Sequence, residues 1–224
     1  MTKEMNLQKI EKKIQMACRT SKRKATDIKL IAVTKTIDAL EMEELYQLGL
    51  RDFGENRTDS FLAKTAFLAA KKDITWHFIG TLQTRKVKDI LTKIDYLHSL
   101  DRLSLAKEIE KRATTKIKCF LEINISGEEK KHGFTKEAAI QFVKTFSFQH
   151  IEIVGLMAMA PFTQDQKELH QVFRDLKQVQ LEIEALKLPH VPCHELSMGM
   201  TNDYPIAIEE GATSIRIGRA LVND

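Results

Sequence analysis

Apolar residues along this chain fall into two alternating rhythms. Near the start, Leu7, Ile10, Ile14 and Ala17 recur at spacings of three and four, which marks one stripe of an amphipathic helix. Residues 28–33, from Ile28 to Val33, follow as a short run rich in β-branched side chains, the pattern of a buried strand. Asp38 with Glu41 three residues later is an acidic form of the box that opens a helix, and Gly49 stands where that helix should stop. The alternation then repeats. Strands are predicted at 51–53, 75–79, 96–100, 118–124, 151–157, 194–197 and 213–217, with helical stretches between them. In the clearest of these, 165–187, Leu169, Val172, Phe173, Leu176, Val179, Ile183 and Leu186 share one face.

Eight strands, each running into a helical stretch, imply parallel pairing with right-handed crossovers, and eight is the number that closes a barrel. The fold class is therefore α/β, a (β/α)8 TIM barrel with an extra N-terminal helix. An open Rossmann-like sheet is the competing architecture. It is disfavoured because no Gly-x-Gly-x-x-Gly follows the first strand and because a helix precedes that strand. The last residues, Ala220 to Asp224, are too few for a full eighth helix, so the N-terminal helix is expected to cover that side. No linker, repeat or low-complexity tract divides the chain, and residues 1–224 read as one barrel domain.

Composition narrows the function classes. The formal net charge of +4 is mild, and the densest basic cluster, Lys22-Arg23-Lys24, reads as a solvated loop, not a nucleic-acid surface. Cys18, Cys119 and Cys193 are far apart and form no C-x-x-C pair, which argues against a disulfide framework or a zinc site. The charged N-terminus and the lack of any apolar run of about 20 residues point to a cytoplasmic protein that is neither exported nor membrane-inserted.

In a barrel of this kind chemistry sits at the C-terminal ends of the strands. The first strand ends in Val33-Thr34-Lys35-Thr36. A lysine there is a carbonyl nucleophile if desolvation lowers its pKa, although taken alone it could equally snorkel to solvent. The second strand runs into Gly54-Glu55-Asn56-Arg57, where Asn56 can bond a ligand hydroxyl or cap a helix. His77 lies between aromatics in the third strand and is a pocket candidate, though a satisfied core histidine is the commoner role. The seventh ends in Ser197-Met198-Gly199-Met200-Thr201 before a short helix, and the eighth in Arg216-Ile217-Gly218-Arg219. The loops after these two strands commonly bind phosphate, and Arg216 between two isoleucines should point inward toward an acceptor. An amine facing a phosphate site with an arginine between them suits a planar phosphorylated aldehyde such as pyridoxal 5′-phosphate.

These blocks, together with Ala32-Val33-Thr34-Lys35, Phe53-Gly54-Glu55-Asn56, Trp76-His77-Phe78-Ile79-Gly80, Gly155-Leu156-Met157 and Leu196-Ser197-Met198-Gly199-Met200, resemble the pyridoxal-phosphate homeostasis proteins. Their fold is that of the N-terminal domain of alanine racemase, and the resemblance spans essentially the whole chain. It implies that Lys35 forms an internal aldimine with pyridoxal 5′-phosphate. It also implies that Ser197 and the backbone near Gly218 hold the phosphate, that Arg216 faces the pyridine nitrogen and that Asn56 lies near the ring substituents. His77 and Met198 are carried with these as cofactor-binding residues. Two positions depart from the family pattern: Arg219 stands where a threonine is usual, and Arg57 where a tyrosine is frequent. Arg219 can replace that hydroxyl with a charge-assisted contact to phosphate.

Alanine racemase-like enzymes add a β-domain whose tyrosine is the second base. Here the chain stops soon after the eighth strand, and Tyr204 is the sole, poor candidate among Tyr46, Tyr96 and Tyr204. The expected role is therefore non-enzymatic: holding, buffering and delivering pyridoxal phosphate within the cell, with the cofactor and dependent apo-enzymes as partners, as a monomer or weak dimer. A weak racemase or decarboxylase, and a Schiff-base aldolase acting on a phosphorylated sugar, are the alternatives.

Overall fold

A computed structural model describes residues 2–128 and 132–222. The first helix, α1 (Lys3–Thr20), begins at Thr2, whose hydroxyl accepts the Met5 N–H, and it buries Leu7, Ile10, Ile14 and Ala17 as the spacing predicts. Then β1 (Lys29–Val33), α2 (Ala39–Gln47), β2 (Asp52–Glu55), α3 (Thr58–Phe67), β3 (Thr75–Phe78), α4 (Val87–Ile90) and β4 (Tyr96–Leu100) follow in order. The remainder is α5 (Leu103–Arg112), β5 (Ile117–Glu122), α6 (Lys136–Lys144), β6 (Ile151–Met157), α7 (Gln166–Glu184), β7 (Glu195–Ser197), α8 (Tyr204–Glu209), β8 (Ser214–Ile217) and α9 (Arg219–Val222).

Among the described residues the strands pair in chain order and close, β8 against β1, into an eight-stranded parallel barrel. Asp38 and Glu41 form the reciprocal box that opens α2. Gly49 and Gly211 end their helices at φ values of +97° and +104°, a region open to glycine at little steric cost. β4 and β6 have the predicted bounds. β2 runs on to Glu55, past the expected Phe53, and β5 stops at Glu122, two residues short of Asn124. Both shifts matter, because they set which residues stand at the barrel mouth.

The outer side chains of the strands, with the inner faces of the helices, make one continuous apolar layer that includes Phe53, Phe61, Phe78, Leu97 and Phe173. α1 packs against α8 and α9, the side left thin by the short C-terminal helix. Asn6 Nδ2 donates to Leu221 O at 3.4 Å, and Arg23, in the basic loop after α1, donates to Ile208 O at 2.9 Å. Burial of Ile10 and Ile14 contributes about 1.5–3 kcal/mol each, so packing more than helix propensity keeps α1 in place. No described helix is long and apolar enough to cross a membrane.

Candidate functional site

A cavity of about 440 Å³ opens at the C-terminal mouth of the barrel. Its wall carries Val33 at the end of β1 and Lys35 after it, Asn56 after β2, Gly80 and Thr81 after β3, and Glu122 at the end of β5. Residues 159–163 after β6, 200–203 after β7, and Arg216, Gly218 and Arg219 on the β8 side complete it. Groups from seven strands therefore meet in one space of ligand size.

The Lys35 side rests on a buried ion pair. Glu55 at the end of β2 accepts from Thr34 Oγ1 at 2.7 Å and from Lys64 Nζ of α3, while Lys64 also donates to Thr34 O at 2.6 Å. Thr34 is thus pinned through both its carbonyl and its hydroxyl, one residue before Lys35. Lys35 itself is exposed, not buried, so the desolvation expected from its place after an apolar strand is absent. Its availability comes from position at the rim. Asn56 Oδ1 is buried at the cavity wall without a hydrogen-bond partner among the described residues, an acceptor that a bound polar group would satisfy.

Two short turns, after β7 and β8, border the same cavity. Met200 O accepts from the N–H groups of Asp203 and Tyr204 at 3.1 and 2.9 Å, and Asp203 Oδ1 accepts from Met200 N. Gly218 O accepts in the same way from Leu221 and Val222 at 2.8 and 3.2 Å. In such turns the N–H groups that come first, here Thr201 and Asn202 in one and Arg219 and Ala220 in the other, have no carbonyl behind them to bond. Thr201, Asn202 and Arg219 all line the cavity, so backbone donors, a hydroxyl and a guanidinium converge there in the manner of an anion cradle. At Gly218 an added Cβ would approach Val33 O to 3.3 Å, which keeps that wall free of side chain.

Arg216 lies inside the mouth. Its Nη1 donates to Ser197 O and Ser197 Oγ at 2.7 and 2.6 Å, and its Nη2 to Ala158 O at 3.0 Å. Burial brings the guanidinium down to about 10, still charged at neutral pH, with Asp203 and Glu122 acting to hold the proton on. Burial raises the Glu122 carboxyl, and Asp101 adds to this, while His132 and Arg216 oppose it.

Three expected site residues are elsewhere. His77, Ser197 and Met198 do not line the cavity. Ser197 points inward but one layer below the mouth, where Arg216 covers it and His98 Nδ1 lies 2.8 Å from its hydroxyl. Met198, the first residue after β7, faces the apolar layer under the helices. His77 is deeper still, bonded to His98 and to Asp52 at 2.9 Å each. In their place stand Thr201, Glu122, Thr81 and residues 159–163. Thr201 was visible in principle as the residue after Gly199-Met200, ahead of a short helix. Glu122 was masked by extending its strand to Asn124.

The two buried histidines carry a pH signature. Burial holds His98 neutral, well below the ordinary imidazole value, and His77, Arg216 and Lys29 push the same way. Burial also lowers His77, with Lys29 adding to the effect and Asp52 and Asp95 opposing it. The unfolded chain takes up protons near pH 6.5 that the folded barrel resists, so the stability tied to these groups is full above that pH and is lost as pH falls below it. Between about pH 7.5 and about pH 5.5 the thermal midpoint is expected to fall more steeply in the unaltered protein than in His98→Asn. The raised carboxylates of Glu122, Glu195 and Asp203 act in both proteins and cancel in this comparison. Parallel curves would contradict it.

None of the three tyrosines lines the cavity. Tyr204 is buried at the start of α8, where burial pushes its phenol up to about 12; Tyr96 lines an opening at the opposite end of the barrel; and Tyr46 donates from α2 to Asp73.

A parallel eight-stranded barrel with an amine, an inward arginine and an anion cradle at one mouth defines the class of (β/α)8 barrels that hold a phosphorylated ligand. The family model described as the N-terminal domain of alanine racemase matches residues 5–224. A pyridoxal phosphate homeostasis protein of Aquifex aeolicus is 38% identical over 225 residues, covering 97% of this chain and 96% of its own. Among solved structures, an unknown protein from Bifidobacterium adolescentis superposes with a TM-score of 0.93 at 32% identity, covering 98% of this chain and 94% of that one. PipY of Synechococcus elongatus, with pyridoxal phosphate bound, gives 0.82 at 30% identity, covering 94% and 100%. The chain belongs to the alanine racemase N-terminal-domain family, in the branch whose members are named pyridoxal phosphate homeostasis proteins.

Proposed function

We propose that this barrel binds pyridoxal 5′-phosphate at its mouth and serves to store the cofactor and pass it on. The observation that carries this reading is the meeting, in one cavity, of Lys35, Arg216 and the two turns represented there by Thr201-Asn202 and Arg219. The unpartnered Asn56 Oδ1 supports the fit, as an acceptor suited to a hydroxyl on the ligand. Bound there, pyridoxal phosphate supplies an aldehyde that condenses with a primary amine. Lys35 provides that amine, Arg219, Thr201 and the turn N–H groups hold the phosphate, and Arg216 sits toward the ring. A guanidinium cannot accept a proton from a ring nitrogen and leaves that nitrogen unprotonated, which suits holding the cofactor more than carbanion chemistry.

Racemisation would require a second proton carrier opposite Lys35. No tyrosine is at the cavity wall, and the proposal is that the protein acts without turnover. Glu122 is the titratable group against which any amino-acid turnover should be checked, by Glu122→Gln with Lys35 intact. The three cysteines are free and buried, with thiols raised by burial, which fits a reducing cellular compartment. Dependent apo-enzymes would be the recipients.

Arg219 gives the direct test of the cradle. A charge-assisted contact to phosphate is worth about 1.5–3 kcal/mol, so Arg219→Ala is expected to weaken cofactor uptake by roughly 10- to 100-fold in an absorbance titration of the cofactor-free protein. Inorganic phosphate should compete with uptake in the unaltered protein and compete less well in the variant. Equal uptake by both would remove Arg219 from the site.

A further inference from the structure

The filling of a barrel of this size is ordinarily apolar and branched. Here a row of polar side chains runs from the lower opening to the cofactor mouth. Asp52 Oδ1 and His77 Nε2 are 2.9 Å apart, and His77 Nδ1 and His98 Nε2 are also 2.9 Å apart. His98 Nδ1 and Ser197 Oγ are separated by 2.8 Å, and Arg216 Nη1 donates to that same oxygen at 2.6 Å. The Asp52 side chain is 25% exposed at the lower end, whereas His77, His98 and Ser197 between it and the mouth are at most 1% exposed.

The proton inventory of this row permits one direction. A guanidinium has donors and no acceptor, so Ser197 Oγ accepts from Arg216 and keeps its own hydrogen free to donate to His98 Nδ1. His98 Nδ1 is then bare, its proton is on Nε2, and that proton meets a bare His77 Nδ1. His77 in turn carries its proton on Nε2, where the Asp52 carboxylate accepts it. Each donor finds one acceptor, with a cation at one end and an anion at the other. The reverse assignment, with Nδ1–H on both rings, fails at the other end, because it sets a bare His77 Nε2 against the Asp52 carboxylate, two acceptors with no hydrogen between them.

We propose that Asp52, His77, His98 and Ser197 form a directional hydrogen-bond wire that fixes the orientation of Arg216 toward the bound cofactor's ring, which makes His77 and His98 positioning residues for a ligand that neither touches. This inference rests on the reading of the mouth as a pyridoxal phosphate site. Both hydrogen positions on Arg216 Nη1 are used, by Ser197 O and by the wire, and Ala158 O holds Nη2, so the guanidinium has little freedom to swing. The charge that would face the ring is balanced through polarised links by a carboxylate at the far end of the barrel. An effect at Asp52 should therefore be read at the mouth.

The wire itself is tested in the cofactor-free protein by ¹⁵N NMR of the histidine side chains. Both His77 and His98 are expected as the tautomer protonated on Nε2 and bare on Nδ1. An Nδ1–H form at either position in the unaltered protein would overturn the wire. Its effect on the ligand is tested by loading with pyridoxal 5′-phosphate and recording the absorption maximum and the affinity. Ser197→Ala and Asp52→Leu should each shift the maximum and weaken uptake by up to about tenfold, the scale of one buried hydrogen bond. Asp52→Asn, which keeps an acceptor for His77 but not the charge, should recover part of both relative to Asp52→Leu. A drop in thermal midpoint in Ser197→Ala and Asp52→Leu with an unchanged maximum and affinity would reduce these residues to packing and overturn the proposal. Failure of the unaltered protein to take up the cofactor would strike at the reading of the mouth, and the tautomers would still decide the wire.

Discussion

Lys35→Ala is expected to lose stable uptake of pyridoxal 5′-phosphate by at least about 100-fold, or roughly 2.8 kcal/mol, while unfolding within about 2 °C of the unaltered protein. The two halves of this expectation come from different features. Lys35 is exposed and makes no hydrogen bond or ion pair with another described residue, so shortening it removes nothing that holds the barrel together. Arg219, Thr201 and Arg216 would remain in the cavity and support weak, freely reversible binding of the phosphate and ring. What is lost is the one lysine amine at the cavity wall among the described residues. An absorbance titration and a melting curve on the same sample check both halves. Undiminished uptake would mean that the aldehyde is held by another amine, and a large fall in melting temperature would mean that Lys35 has a structural task.

The second large effect is expected at the ion pair that pins Thr34, the residue before Lys35, and with the opposite character. Glu55 and Lys64 are an ion pair with side chains 0% and 6% exposed. Such a pair is weak evidence for net stability when both partners are present, but removing one strands a charge in a low-dielectric interior, at about 3–5 kcal/mol. For a chain of this length 1 kcal/mol moves the midpoint by about 2–4 °C, so Glu55→Ala is expected to lower it by roughly 6–20 °C. The pair also holds Thr34 by its carbonyl and its hydroxyl, so the backbone that aims Lys35 loosens with it. Replacing both partners, as Glu55→Leu with Lys64→Met, should recover most of the midpoint, because no stranded charge remains. Cofactor uptake should recover less. A midpoint for Glu55→Ala within about 2 °C of the unaltered protein would contradict this view of the pair.

The contrast between these residues shows what could be read in the chain beforehand. Period-two and period-3.6 patterns placed every strand to within two residues at either end, and the Asp38-Glu41 box and Gly49 stop are where the pattern put them. Glu55 was hidden because a buried carboxylate looks like a loop residue until its partner is known, and Lys64, on a different element, carries no local sign of burial. Inward or outward facing was legible for Arg216, because alternation sets the face. Height along the barrel axis was not. Ser197 and His77 face inward as alternation allows, yet both lie below the mouth, since a step of two residues along a strand moves a side chain by about 6–7 Å without changing its face. The same limit concealed His98, which no motif singled out, and with it the polar row through the barrel. Lys35, Asn56, Gly218 and Arg219 were legible because they lie past strand ends, where height is set by the end of the strand itself.

The central claim is that Lys35 at this mouth holds pyridoxal phosphate. Its most direct test is to load the purified protein with pyridoxal 5′-phosphate, follow the visible absorbance, reduce with borohydride and map the modified peptide by mass spectrometry. The expected result is a visible band that disappears on reduction and a phosphopyridoxyl group on the peptide containing Lys35 and on no other. A protein that stays colourless with added cofactor, or a label on Lys29 or Lys118 at the opposite opening, would contradict the claim.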